Sequence, residues 1–323
     1  MQRALLLAIA LLAAVPAMAA ERELDQPPRP STIAARGDVL AYSRWDDTIG
    51  AFRLRVAVGD RAPVDVPVPP RSVPFDVHVG RATEPDGSRR TVLVYSRCTR
   101  EPPLYPSLAP EQLWSAARGC SLRVAGLDGG ERAIRGAGEG VIPGVSGTTL
   151  TFVRFRRGHR PVVVVRRFDH SGPPARVLRV GRGMPVDIDV LGDRLAITRR
   201  YQGHGEVQDS ALDMINLRTG ARRTIRHRNG GGQTAHFIVG ASRLPHGGVA
   251  WAEICGGDPE GCVQGTELIS RWSPHRGIHS SAGPGVEAFA AAPFATWTLG
   301  GCDPATYAEV GPCVLTRIAS AHR

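Results

Sequence analysis

The chain has 323 residues and a formal charge of +10, and all forty of its basic residues are arginine. That length is enough for a large core, and the charge would draw anionic polymers toward the surface. The arginines are scattered and no recognition motif accompanies them, which argues against nucleic acid as a partner. The densest local group is Arg154, Arg156, Arg157, Arg166 and Arg167.

The chain opens "MQRALLLAIALLAAVPAMAA". Arg3 precedes an apolar run too short to cross a bilayer, and Ala17-Met18-Ala19 places small residues where a signal peptidase reads them. The expectation is a signal peptide over 1–19, cut after Ala19, and hence a secreted protein. An uncleaved anchor is the alternative. No later stretch is apolar enough to span a membrane, so an integral membrane protein is not expected. Residues 20–30 read as an N-terminal extension and 31–323 as one domain.

From there the sequence repeats itself. "DVLAYSR" at 38–44 returns as "TVLVYSR" at 91–97, then more loosely as "TTLTFVR", "DRLAITR", "GGVAWAE" and "PFATWTL". The large apolar residue of each is Tyr42, Tyr95, Phe152, Ile197, Trp251 and Trp297, at separations of 53, 57, 45, 54 and 46. Before each copy lies a short segment such as "PFDVHVG" or "PVDIDVL". After each comes a second one such as "FRLRVAV", then a Gly/Asp turn and in most units a further short segment. Strict alternation in "FRLRVAV" marks a strand. Each unit therefore has room for four strands, A to D, and "SLAPEQLWSAARG" at 107–119 is the one short helical candidate.

A small sheet leaves apolar side chains on both faces. Six such sheets set radially cover one another and return the last to the first. The expected fold is all-β, a six-bladed β-propeller of four-stranded antiparallel blades. The last blade looks incomplete, because the chain ends at Arg323 directly after its strand C. "ERELDQPP" is a candidate for the missing strand, although its prolines suit a ladder poorly.

The phase of the repeat also orders the six cysteines. Each of three B–C loops is flanked by two, so the expected bridges are Cys98–Cys120, Cys255–Cys262 and Cys302–Cys313, on one face of the ring. No pair has the spacing of a zinc or redox motif, and no metal or other cofactor is expected. The 99–119 loop carries Leu104, Tyr105, Leu108, Leu113 and Trp114. Tyr105 and Trp114 are candidates for a binding surface, the alternative being that the loop folds back on its own blade. On the A strands, Asp76 alternates with His78 and Asp187 with Asp189, while His236 begins "HFIV". These five would be the catalytic set if the channel carried acid–base chemistry. A polar, solvated channel is the competing reading. No nucleophile elbow, phosphate loop or EF-hand is present, and "RGD" at 36–38 suits a turn.

Segments such as "LAYSR" followed by "LRVAV", and "LVYSR" followed by "LRVAGLDGGER", resemble secreted or periplasmic β-propellers with TolB-like and WD40-like repeats. The Asp-Gly common after the strand B serine in that class is Trp45-Asp46-Asp47 here. The resemblance implies a binding scaffold. The functional expectation is a monomeric secreted module for a protein or anionic cell-surface polymer. The alternative is a secreted hydrolase or lyase acting on a carbohydrate or small ester.

Overall fold

The computed structural model describes residues 21–29, 31–84, 86–101, 114–155, 159–169, 175–202, 208–228, 236–255, 268–282, 286, 288–300 and 313–319. They form six four-stranded antiparallel sheets. The innermost strands are β2 (Ile33–Arg36), β6 (His78–Thr83), β10 (Val141–Ser146), β14 (Met184–Leu191), β18 (His236–Arg243) and β22 (Ala288–Ala292). Each touches the next, and β22 touches β2, so the ring is closed around a common axis.

Within blades 1 to 5 the chain steps outward, as in β2, β3 (Val39–Asp46), β4 (Ala51–Val58) and β5 (Val64–Asp65). The A–B and C–D turns share one face of the ring, here the turn face. The B–C and D–A connections share the other, the loop face. The six phased large residues of strand B are all buried. The core divides into clusters that join neighbouring blades, the largest spanning blades 2, 3 and 4 and the others two blades each. Phe52, Leu54 and Ala41 of blade 1 pack with Phe75, Val79 and Tyr95 of blade 2, and Trp251 of blade 5 packs with Ala196 and Leu212 of blade 4.

Close approach at the axis explains three glycines on inner strands. A Cβ on Gly80 would meet the Val145 carbonyl oxygen of the next blade at 2.2 Å, one on Gly144 the Val190 side chain at 3.1 Å, and one on Gly240 the Phe289 carbonyl oxygen at 3.1 Å. At the turn face, Gly37 holds φ +65°, which a side chain would strain.

The ring closes through the N-terminal segment. β1 (Glu21–Asp25) pairs antiparallel with β24 (Val314–Ala319) and becomes the outermost strand of blade 6. The residues read as an extension thus belong in part to a sheet. The proline difficulty is resolved because the strand stops at Asp25, before Pro27 and Pro28, and the Pro27 carbonyl still accepts the Cys313 amide at 2.8 Å. Asp25 then reaches into blade 1, where its carboxylate accepts the Tyr42 hydroxyl and the Arg55 guanidinium.

Cys98 and Cys120 are opposite each other on β7 (Arg89–Arg100) and β8 (Arg118–Gly126) and form a disulfide. Cys313 is disulfide-bonded. Cys262 and Cys302, one end of each of the other two expected bridges, lie outside the described residues, as does the Cys255 side chain. Of the helical candidate over 107–119, read more readily as a loop excursion, residues 114–116 are helical and 118–119 already belong to β8, while 107–113 are not described. Among the described residues no helix is long and apolar enough to cross a membrane.

Candidate functional site at the ring axis

An innermost strand is the edge of its sheet, and its outward N–H groups have no ladder partner. In this ring, polar side chains of the preceding blade supply the acceptors. Ser43 accepts the amide of Phe75, on the approach to β6, at 2.7 Å, Ser210 that of Ile238 at 3.1 Å, and Ser242 that of Ala291 at 2.9 Å. The four described members of the candidate catalytic set do the same work.

Asp76 is a buried clasp between blades 2 and 3. Its Oδ1 accepts the Ser96 amide at 2.8 Å and its Oδ2 the Ile142 amide at 2.7 Å. Ile142 has φ +50°, an unfavourable conformation for a β-branched residue, and the Asp76 carboxylate holds it there. The buried Arg71 guanidinium stands 3.4 Å from Asp76 and donates to the Ser96 carbonyl and Glu101.

His78 spans blades 2, 3 and 4. Its Nδ1 accepts the Val145 amide at 3.3 Å, which leaves the proton on Nε2, 2.7 Å from Asp189 Oδ1. Asp189 also accepts Arg36 Nη2 at 2.6 Å and the Arg243 amide at 2.5 Å. Burial would raise the Asp189 carboxyl, but Arg36, His78 and the Arg243 amide outweigh it and hold it below the usual range. Blades 1 and 4 are opposite in a ring of six. The Arg36–Asp189 contact therefore crosses the axis, and together with His78 it plugs the channel.

Asp187 differs from its neighbour. Its Oδ2 accepts the Ala241 amide at 2.9 Å, and among the described residues no basic side chain pairs with it. Burial pushes its carboxyl up to about 7, the Asp189 charge adding to this and the Ala241 and Ile188 amides opposing it. The native state therefore holds this proton more tightly than the unfolded chain, whose aspartates titrate near ~3.9. The resulting stabilisation is complete below that value and disappears as pH rises through about 7. Asn mimics the protonated form. We expect Asp187→Asn to exceed the wild type in stability at about pH 8 by on the order of 2 kcal/mol, after allowance for solvent screening, and to match it near ~pH 3.5. Urea denaturation at the two pH values checks this, and no gain at the higher pH refutes it.

Above the plug, toward the loop face, Asp76, His78, Asp187 and Asp189 line one cavity in which the space open to water is ≈ 40 Å³. That holds a few waters and no sugar ring. Trp114 closes it from the B–C loop of blade 2. Trp114 is 2% exposed and clusters with Val73, Ala117 and Cys120 and with apolar residues of blades 3 and 4. Tyr105 lies outside the described residues, and so does the His236 side chain, whose backbone opens β18 opposite Cys255. Among the described residues no three His, Cys, Asp or Glu side chains are grouped to hold a metal.

Below the plug, on the turn face, lies a wider basin of ≈ 400 Å³. Arg36, Arg81 and Arg243 line it, with Asp38, Leu191 and Pro293. Sequence reasoning missed these arginines, since nothing separates them from the other basic residues of the chain.

Solved propellers resemble the chain at low identity. TolB from Acinetobacter baumannii is 12% identical with a TM-score of 0.54, covering 88% of this chain, which spans 65% of that protein. The WD40 propeller domain of Doa1 is 11% identical over 95% of this chain and 97% of that one, with a TM-score of 0.46. A fungal lectin, the six-bladed propeller of Aleuria aurantia, is 8% identical over 84% and 88%, with a TM-score of 0.49. No family model and no curated protein matches the chain. The TolB likeness establishes the fold alone.

Proposed function

We propose that this chain is a secreted binding or scaffold protein whose loop face, stapled by the Cys98–Cys120 bond, engages a protein or anionic polymer. One observation carries the reading over an enzymatic one: the Asp and His side chains described at the axis bond to backbone or side chains of neighbouring blades, around a cavity of ≈ 40 Å³. Catalytic groups need a reacting atom within reach, and here structural partners fill that place. The signal-like leader and the disulfide agree with an oxidising compartment, and the formal charge of +10 suits an acidic partner.

The test is affinity capture from the native extracytoplasmic fraction, comparing the wild type with a variant whose residues 102–113 are replaced by a Gly-Ser linker. A partner retained by the wild type and lost by the variant supports the reading. Equal capture by both overturns the assignment of the face. Ester or glycoside hydrolysis abolished by Asp187→Ala in a folded protein overturns the class.

A further inference from the structure

The turn-face basin is on the opposite side of the ring from the proposed partner surface and is independent of it. Arg81 is exposed and lines the basin, and no described side chain or carbonyl takes its guanidinium. Arg36 is anchored by Asp189 and by the Val190 and Arg243 carbonyls. Arg243 is 2% exposed, donates through Nη1 to the Gly247 and Gly248 carbonyls, and leaves its Nε without an acceptor among the described residues. Burial pulls its guanidinium down to about 10, Asp189 opposing and the like charges of Arg194 and Arg36 adding to the fall. Asp38 is the one carboxylate in the lining. Cationic side chains converging on one concavity call for an anion.

A second observation gives the rest of the ligand. Leu191, Ala291, Ala292, Pro245 and Pro293 form the apolar part of the lining. Next to Pro293, in the turn between β22 and β23 (Ala295–Gly300), stands Phe294, 73% exposed and the most exposed large apolar side chain described. The other exposed ones, Val64, Val177 and Ile278, are on outermost strands, and Ile49 is in a B–C turn. Phe294 thus adjoins a residue that lines a cationic, half-apolar basin, and its ring is left largely open to solvent.

We propose that this basin binds a small organic acid, its carboxylate directed to Arg81 and its apolar body lying against the Pro293–Phe294 wall. The volume of ≈ 400 Å³ is within the usual range for small-molecule sites.

The probes are benzoate, benzamide and inorganic phosphate, titrated at low ionic strength into the full mature protein and followed by NMR. Benzoate should saturate and shift resonances around Arg81 and Phe294, while benzamide and phosphate shift them little. Arg81→Ala, which alters an exposed side chain, should weaken benzoate about tenfold. Phe294→Ser should weaken it as well, and Asp38→Asn should tighten it. No saturable benzoate shift, equal response to benzamide, equal response to phosphate, or unchanged affinity in Arg81→Ala would each overturn the proposal. Loss of the loop-face partner leaves it unaffected.

Discussion

A protein lacking Glu21–Asp25 should melt about 10–20 °C below the wild type, having lost on the order of 5 kcal/mol or more. The effect is large because the five residues of β1 carry three roles. They give β24 its outer ladder partner, and without them that edge is open. Leu24 packs against the blade 6–blade 1 cluster of Ile33, Leu40, Tyr42, Trp297 and Leu315. Asp25 is the acceptor for the Tyr42 hydroxyl and Arg55, and also faces Arg44 at 3.4 Å. Asp25→Ala alone should cost about 2–3 kcal/mol, since it leaves the buried Tyr42 hydroxyl without its acceptor and removes one partner of the part-buried Arg55 guanidinium, which keeps the Pro63 carbonyl and Asp65. Differential scanning calorimetry measures both variants. An unchanged melting temperature in the deletion would show that the ring does not depend on its N-terminal strand.

Asp76→Ala should cost about 3–5 kcal/mol. The Asp76 side chain is 2% exposed, so its removal strands the Ser96 and Ile142 amides in a dry seam. It also removes the bond that holds Ile142 at φ +50°, and takes a counter-charge from buried Arg71. Asp76→Asn keeps one acceptor oxygen and should lose less. Equilibrium urea unfolding of both variants gives the comparison. A catalytic Asp76 would show the reverse, with stability retained and turnover lost.

Much of the ring could be read from the sequence because its repeat is physical. One large side chain per strand B plugs each seam, and "VHVG", "IPGV" and "IVGA" carry the glycines where neighbouring inner strands press together. The role of the axial residues could not be read. Alternation in "FDVHV" and "VDIDV" places Asp and His on one side of a strand, but a carboxylate in a water-filled pore and one accepting a neighbour's amide have the same alternation. Stagger between blades decides the matter, and stagger is set by packing across residues far apart in sequence. Asp189 and Arg36 are 153 positions apart, and Asp25 is 17 from Tyr42 in another blade. The loop tryptophan was ambiguous for a similar reason. Trp114 has the composition of a recognition residue, yet it packs over the cavity with the Arg71 guanidinium 5.5 Å from its ring.

The account rests on the axial polar groups being clasps between blades, and the Arg36–Asp189 pair tests it most directly because only a closed ring brings blades 1 and 4 together. A double-mutant cycle with Arg36→Met, Asp189→Asn and the combined variant, read by urea denaturation at neutral pH, should give a coupling energy of about 1–3 kcal/mol. Additive losses, within about 0.5 kcal/mol, would mean that the two side chains do not meet across the axis and that the channel is not plugged.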